Sequence, residues 1–181
     1  MTLHLSTPRS RDIVTREAIF DSEARKYRDW LMREWDAREP VLTICGVNPS
    51  KADHVTDDPT VAKLIRWVKV LGYGSFVLVN LFGLVSPEPR DLERAVDPVG
   101  ADNDHYLWHA AESSKQDGGR FVTAWGRNGL YKHRGRVVMA ELAKRGVSTW
   151  CFAINGDGTP KHPARAAYTS KLLPYYASTA A

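Results

Sequence analysis

Three side chains that can bind or orient a polar ligand stand at the ends of separate apolar segments of this sequence. Asn48 and Asn80 each end an apolar run, and His162 follows another such run after a short glycine-rich loop. An amide carries a hydrogen-bond donor beside an acceptor, and an imidazole can donate to an atom on which negative charge develops. Together these side chains can orient a water molecule and bind the polar edge of a flat ligand.

The segments that carry these residues alternate between strand-like and helix-like patterns. Buried strands are predicted over residues 41–45, 75–82, 121–125 and 148–154, and helices from about residues 58, 102, 134 and 161. This order predicts an α/β fold, a three-layer α/β/α architecture with a central, mostly parallel sheet of four strands. Because ligands bind at the carboxyl ends of such strands, we expect the three side chains to meet at one edge of the sheet.

The turn after the first predicted strand is expected to form the centre of the site. Gly46 permits close backbone approach, and Pro49 ends the hydrogen-bonding ladder of the strand. A Trp-Gly pair halts the third strand at the same edge of the sheet. The residues expected to bind substrate are Gly46, Val47, Pro49, Ser50, Asn80, Trp125 and Gly126, with Asn48 and His162 as the catalytic pair.

Residues 27–35 carry two competing patterns. Tyr27, Trp30, Leu31 and Trp35 fall on one face of a helix, whereas strict alternation through the same segment fits an edge strand. The helical pattern is favoured.

Composition is typical of one compact domain. The 181 residues are 43% hydrophobic and 25% charged, and residues 17–181 are expected to form a single α/β domain after a loosely ordered lead-in over residues 1–16. No apolar run approaches the roughly 18 residues of a membrane helix, and the N-terminus lacks the apolar core of a secretory signal. A cytoplasmic location without membrane contact is therefore expected.

The C-terminal third of the sequence is strongly basic. From residue 118 onward ten Lys and Arg residues face two acidic residues, although the net charge of the whole chain is only +4. Such asymmetry suits a polyanionic partner, DNA or a nucleotide, although solvated basic helix faces would give the same composition. The residues expected to contact nucleic acid are Arg127, Lys132, Arg134, Lys161 and Arg165.

Each candidate residue also has an ordinary structural interpretation. Asn48 can serve a turn of unusual conformation, Asn80 can satisfy hydrogen bonds within the core, and His162 can be a plain loop histidine. These alternatives remain open on the sequence alone.

Metal and thiol chemistry are less favoured interpretations. Asp53, Asp57 and Asp58 could form a divalent-metal cluster, but Asp58 before a proline is better explained as a helix N-cap. Cys45 and Cys151 are too few for a zinc or iron–sulfur site and lie inside apolar runs, so we expect them in the core. No metal or cofactor is expected.

The order of these motifs resembles two families. Asn48-Pro49-Ser50, Asp58-Pro59-Thr60, Asn80-Leu81-Phe82 and Lys161-His162-Pro163 are similar to motifs of a domain-of-unknown-function family, number 1643, of bacterial and phage proteins. That resemblance runs from about Ala18 and implies no activity. More distantly, Gly-x-Asn-Pro, a strand-ending Asn, Trp-Gly and His-Pro, in this order, resemble the uracil-DNA glycosylase superfamily. This second resemblance implies a uracil-DNA glycosylase-like fold.

The glycosylase resemblance also implies roles for individual residues. Asn48 would hold the attacking water, Asn80 would hydrogen-bond the base edge, and His162 would stabilise the departing base. Ser50 stands where the strictest uracil enzymes carry a bulky aromatic residue, which implies a wider pocket. Asn48 in place of a carboxylate resembles the mismatch-specific branch of the superfamily, and Arg165 stands where an apolar wedge is expected.

The resulting hypothesis is a glycosylase-like hydrolase that cleaves the N-glycosidic bond of a base flipped out of DNA, whether a normal base or a modified or mismatched one. An amide lacks a useful pKa, so Asn48 at the water site implies that positioning outweighs proton abstraction. Two alternatives stay open. One is an enzyme that processes a free nucleotide or nucleoside in the same pocket, and the other is a non-catalytic module that binds nucleic acid or a modified base.

Overall fold

The computed structural model describes residues 13–88, 90–116, 118–168 and 171–176, which form a seven-stranded sheet with helices on both faces. The strands are β1 (Thr15–Phe20), β2 (Arg28–Glu34), β3 (Val41–Gly46), β4 (Ser75–Asn80), β5 (Arg120–Thr123), β6 (Thr149–Cys151) and β7 (Leu173–Pro174). Across the sheet their order is β1-β2-β4-β3-β5-β6-β7.

The predicted α/β class is confirmed, but the sheet is larger and more mixed than the sequence suggested. Strands β4, β3, β5 and β6 are neighbours and run parallel, and they correspond to the four predicted strands. Strands β1 and β2 extend this group by antiparallel pairing on one side, and β7 does so on the other. The expectation of four strands was therefore wrong, because it left out these three antiparallel strands.

Strand β2 corrects the helical interpretation of residues 27–35. Leu31 pairs with Ala18 of β1 and with Leu78 of β4, so the segment lies between two strands. Its burial also alternates along the chain. Pairing on both sides satisfies the backbone donors and acceptors, and this tertiary contribution outweighs the helical spacing of the aromatic residues.

Four helices connect the strands: α1 (Pro59–Val70), α2 (Arg90–Arg94), α3 (Asn103–Ser113) and α4 (Arg134–Lys144). Helix α1 begins as predicted, since the side chain of Asp58 accepts a hydrogen bond from the N–H of Val61. The helix expected from residue 161 is only a single 3-10 turn, Pro163–Arg165, and Ala166 is already extended. The turn offers the core only a short apolar surface, so nothing stabilises a longer helix there.

Two apolar clusters fill the spaces above and below the sheet. One joins α1 to the face that carries Leu42, Ile44, Phe76 and Leu78. The other packs α3 and α4 on the opposite face, which carries Cys45 and Val79 among others. The connection after β3 thus runs along one face of the sheet and the connection after β4 along the other. Such a change of face opens a crevice beyond the carboxyl ends of the strands.

Two further expectations concern the N-terminal lead-in and the membrane. The predicted lead-in over residues 1–16 lies mostly outside the described residues, and strand β1 already begins at Thr15. Within the described ranges, none of the helices has the length and apolar character needed to cross a bilayer.

Candidate functional site

A cavity of about 440 Å³ lies at the carboxyl ends of the parallel strands. Gly46 and Asn80 end the neighbouring strands β3 and β4 in register with each other, and both line it. Its size falls within the range of about 300–1,000 Å³ that small-molecule sites occupy. The crevice beyond the sheet is therefore large enough for a nucleobase or a nucleoside.

Most of the residues selected from the sequence line this one cavity. They are Gly46, Val47, Asn48, Ser50, Asn80, Trp125, Gly126, Arg127, His162 and Arg165. The lining does not include Pro49, Lys132, Arg134 or Lys161. The parallel strands thus bring together residues that are far apart in the sequence, while part of the expected nucleic-acid surface lies elsewhere.

Arg134 is engaged inside the protein rather than at the cavity. Its Nε donates to the carbonyl of Leu81 at 2.9 Å, and its guanidinium forms an ion pair with Asp104. Lys132 is exposed and stacks on Tyr131 with 5.6 Å between its ammonium nitrogen and the ring centre. The expectation that Arg134 grips a phosphate does not agree with these internal contacts.

The side chain of Asn48 is held in one orientation by backbone carbonyl groups. Its Nδ2 donates to the carbonyls of Ser86 at 2.8 Å, Pro49 at 3.1 Å and Leu84 at 3.4 Å. Both amide protons are therefore used within the protein, and no described residue donates to Oδ1. The half-buried Asn48 can offer this oxygen as an acceptor for a water molecule or a ligand N–H.

In Asn80 the amide donor, and not the acceptor, lacks a partner among the described residues. The residue is only 2% exposed, and its buried Nδ2 has no hydrogen-bond partner in the part of the chain that the structure describes. Its Oδ1 lies close to Gly46, where an added Cβ would come within 2.7 Å of it. Glycine at position 46 therefore leaves the space that the side-chain oxygen of Asn80 occupies. A buried amide donor without a partner is costly unless a ligand supplies an acceptor.

His162 follows the last parallel strand and caps the 3-10 turn. Its Nδ1 accepts a hydrogen bond from the N–H of Ala164 at 3.2 Å, so in the neutral ring the proton lies on Nε2. Burial lowers the pKa of His162 below its ordinary value of 6.5, and the cations Arg165 and Lys63 add to this effect while Asp58 opposes it. At neutral pH His162 is therefore a neutral hydrogen-bond donor through Nε2.

The turn between β5 and α4 supports the histidine. Gly126 has a left-handed φ of 66°, and an added Cβ there would lie 3.5 Å from the Cβ of His162. The N–H of Gly126 also donates to the carbonyl of Pro160 at 2.9 Å. The Trp-Gly pair found in the sequence thus fixes the position of the loop that carries His162.

Ser50 and Asp58 add a polar pair to the cavity lining. The hydroxyl of Ser50 donates to one carboxylate oxygen of Asp58, and the other oxygen accepts from the N–H of Val61 at 2.8 Å. The sequence favoured a helix cap for Asp58 over a metal ligand. The structure shows that this cap also places a carboxylate in the cavity.

Sequence reasoning missed Arg28, a further cavity residue, which lies at the start of β2. It is 1% exposed, and its Nη1 donates to the carbonyl of Ala52 at 2.6 Å, while its Nε has no partner in residues 13–88, 90–116, 118–168 and 171–176. Burial lowers the pKa of Arg28 to about 10, partly offset by Asp58. The strand-like alternation of residues 27–35 puts the inward positions at Asp29, Leu31 and Arg33, so it gave no signal for Arg28. The irregular pairing of β2 with β1 at this end of the strand appears only in the fold.

The alternative chemistries find little support in the described residues. Asp57 is paired with Arg16 and Arg33, and Asp53 accepts hydrogen bonds from its own loop, while Asp58 caps α1. Among the residues described here, no group of three or more His, Cys, Asp or Glu side chains is arranged to hold a metal ion.

Cys45 is unsuited to act as a nucleophile. The residue is fully buried in strand β3, within the cluster on the face opposite α1. Burial raises the pKa of its thiol far above the ordinary value, so the thiolate is not formed near neutral pH.

Comparison with known proteins identifies a family but no activity. None of the curated proteins and none of the solved structures matches the chain. A family model described as "Protein of unknown function (DUF1643)" matches residues 28–164, which include every residue of the cavity lining except Arg165. The chain therefore belongs to the DUF1643 family.

Proposed function

We propose that this protein is a glycosylase-like hydrolase that removes a modified or mismatched base from DNA. The observation that carries the proposal is that Asn48, Asn80 and His162 line one cavity with complementary groups left over. Asn48 offers an acceptor, Asn80 offers an amide donor, and neutral His162 offers an Nε2–H donor. The motif order that resembles the uracil-DNA glycosylase superfamily supports the same proposal, including a relationship of fold.

The proposed reaction requires little proton abstraction. Water held by the Oδ1 of Asn48 attacks C1′ of the sugar, the C1′–N bond breaks, and its electron pair leaves with the base. His162 donates a hydrogen bond from Nε2 to the base oxygen on which the charge develops. The water loses a proton to solvent and the base gains one, so the products are a free base and an abasic sugar.

Two cations at the cavity, Arg127 and Arg165, are suitable contacts for the phosphates beside a flipped nucleotide. Arg165 is exposed, and Arg127 shares its charge with Asp157. Phosphate contacts of this kind would offset part of the cost of unstacking the base, a few kcal/mol in duplex DNA.

The engagement of Arg134 inside the protein favours a second candidate function. With fewer cations around the cavity than the sequence suggested, a free nucleotide or nucleoside becomes a reasonable substrate for the same groups. Salt distinguishes the two functions, since DNA binding weakens steeply as salt rises and nucleoside binding does not.

Release of bases from DNA tests the proposal directly. The protein is incubated with oligonucleotides that carry uracil, mismatched thymine or oxidised bases and with modified phage DNAs, and released bases are identified by mass spectrometry. We expect release of at least one base, and a rate lowered about 10²–10³-fold by His162→Ala, the usual effect of removing one such donor. Asn48→Ala should lower it as well.

A matched control separates the site from general effects of removing histidine. His105 is exposed on α3 and lies outside the cavity, so His105→Ala should keep the full rate. Equal rates in His162→Ala, Asn48→Ala and the wild type would refute the assignment. Tight binding of DNA without release of any base would show a binding module instead.

A further inference from the structure

The guanidinium of Arg28 is a buried cation that the protein leaves largely unpaired. Among the described residues only its Nη1 has a partner, the carbonyl of Ala52. Its Nε is buried without a partner, and no described residue accepts from Nη2 or forms an ion pair with this side chain. The edge formed by Nε and Nη2, which is the edge that grips planar anions, therefore has no partner among the described residues.

The cavity also contains the unpaired amide donor of Asn80. Among the described residues only three buried side-chain polar atoms lack a partner, and two of them are Arg28 Nε and Asn80 Nδ2. Both side chains line the same cavity. We refer to these two groups, the free edge of Arg28 and the Nδ2 of Asn80, as the donor pair.

A buried charge without a counter-charge is unfavourable, and native proteins pair such charges or use them. The charged groups around Arg28 do not resolve this cost. Asp58 and Asp53 attract it from nearby, and Arg33 repels it, but neither carboxylate forms an ion pair with it. Both oxygens of Asp58 already accept hydrogen bonds, from Ser50 and Val61. A ligand that brings negative charge into the cavity would complete the arrangement.

The remaining lining indicates what kind of anion fits. The apolar side chains of Ile44, Val61, Leu64 and Leu78 also line the cavity. Apolar walls suit the faces of a flat ring and do not suit a compact, strongly hydrated phosphate. The carboxylate of Asp58 further disfavours a doubly charged group.

We propose that the donor pair binds the anionic edge of a nucleobase, so that the ligand class of this site is bases that carry a delocalised negative charge. The inference rests on the proposed function in taking the cavity as the base pocket, but it requires binding only. In the reaction proposed above, Arg28 would contact the base as its C1′–N electron pair accumulates. Bases that leave as stable anions are then preferred substrates.

Free bases of similar shape and different charge test this inference. The imide of 5-nitrouracil is ionised at neutral pH, whereas thymine, of similar size, is neutral. Calorimetry on the full chain should show 5-nitrouracil bound at least about tenfold more tightly than thymine, since hydrogen bonds to a charged group exceed neutral ones by this order. Barbiturate, another ionised ring, should bind like 5-nitrouracil, and inorganic phosphate should bind more weakly than both.

Arg28→Met should abolish the preference and leave the two bases with equal affinity. Arg38→Met is the matched control, because it removes the same charge from an exposed side chain outside the cavity and should keep the preference. Circular dichroism checks that each variant is folded. The comparison of ligands in the wild type stands even if Arg28→Met fails to fold.

Three results would overturn the inference: equal affinity of the wild type for 5-nitrouracil and thymine, a preference that survives in folded Arg28→Met, or phosphate bound more tightly than either ionised ring. These outcomes are distinct from failure of the proposed function. A protein that binds ionised bases through Arg28 but releases no base from any DNA would support the proposed role of the donor pair and contradict the proposed hydrolase activity.

Discussion

The two ends of strand β2 carry the same kind of residue in opposite states. Arg33 is fully buried, pairs with Asp57 at 2.8 Å, and donates to the backbone carbonyls of Met32 and Asp53. Arg28 is just as buried on the same strand, yet it makes one side-chain hydrogen bond and no ion pair among the described residues. One strand thus contains a satisfied cation and an unsatisfied one.

The difference lies in what each end of β2 faces. Arg33 is surrounded by protein acceptors, so its charge ties β1, β2 and the loop before α1 together. Arg28 lines the cavity, where the acceptors would have to come from a ligand. Burial alone therefore does not distinguish a charge that stabilises the fold from one that is left for a ligand. The hydrogen-bond partners of each charge make that distinction.

The largest expected effect is a loss of folding stability when Arg33 is replaced. Arg33→Met should lower the free energy of unfolding by about 3–5 kcal/mol, because it removes one partner of a buried pair and leaves backbone carbonyls without a donor. Urea denaturation measures the change. A loss below about 1 kcal/mol would show that the paired end contributes no more than an exposed salt bridge.

The matching substitution of Arg28 should stabilise the fold instead of destabilising it. Arg28→Met should raise the free energy of unfolding by about 1–2 kcal/mol, since it removes a buried charge that no described residue pairs. The same urea titration compares the two variants. If Arg28→Met were as damaging as Arg33→Met, the contrast between the two ends would be wrong.

Replacing the acidic residues near Arg28 and Arg33 tests the contrast between these two arginines further. Asp58→Asn keeps an N-cap of equal quality, so the free energy of unfolding should change by less than about 0.5 kcal/mol. Removing this charge near Arg28 should raise the affinity for 5-nitrouracil about fivefold, on the order of 1 kcal/mol, as measured by calorimetry. Asp57→Asn is the control, because it removes the same charge but breaks the pairs with Arg16 and Arg33. It should destabilise the fold instead.

The smallest expected effect is a pH dependence set by His162. Its folded pKa lies below 6.5, so the neutral form holds at neutral pH, and the rate of base release should fall as pH drops through that lower pKa. Protonation places a proton on Nδ1, which faces the N–H of Ala164 and breaks that hydrogen bond. The unfolded chain takes up this proton first, so the stability contributed by neutral His162 is also lost on acidification. A pH–rate profile measures the effect, and a rate that rises on acidification would contradict it.

Several features of the site were predictable because local sequence determines them. The cap at Asp58 followed from an acceptor before a proline at the first helical position, and the structure confirms it. Asn48, Asn80 and His162 were predicted to meet because parallel strands place their carboxyl ends at one edge, and they line one cavity. Their catalytic roles stay predictions.

Other features depended on contacts between distant segments. The segment around Leu31 has helical spacing but becomes a strand because β1 and β4 supply hydrogen bonds on both sides. The sequence places Arg134 in a basic segment, yet the carbonyl of Leu81 and the carboxylate of Asp104 bind it within the protein. A charge count along the chain does not show which cations have partners.

The sequence by itself determined the alternation of strands and helices and the polar residues at the strand ends, because these depend on local apolar periodicity, turns and caps. Only the tertiary structure decided which polar atoms are satisfied. Arg28 and Arg33 have the same type and similar neighbours along the chain, but hydrogen-bond partners come from distant segments. The folded chain gave acceptors to Arg33, whereas Arg28 lines the cavity and its Nε has no partner among the described residues.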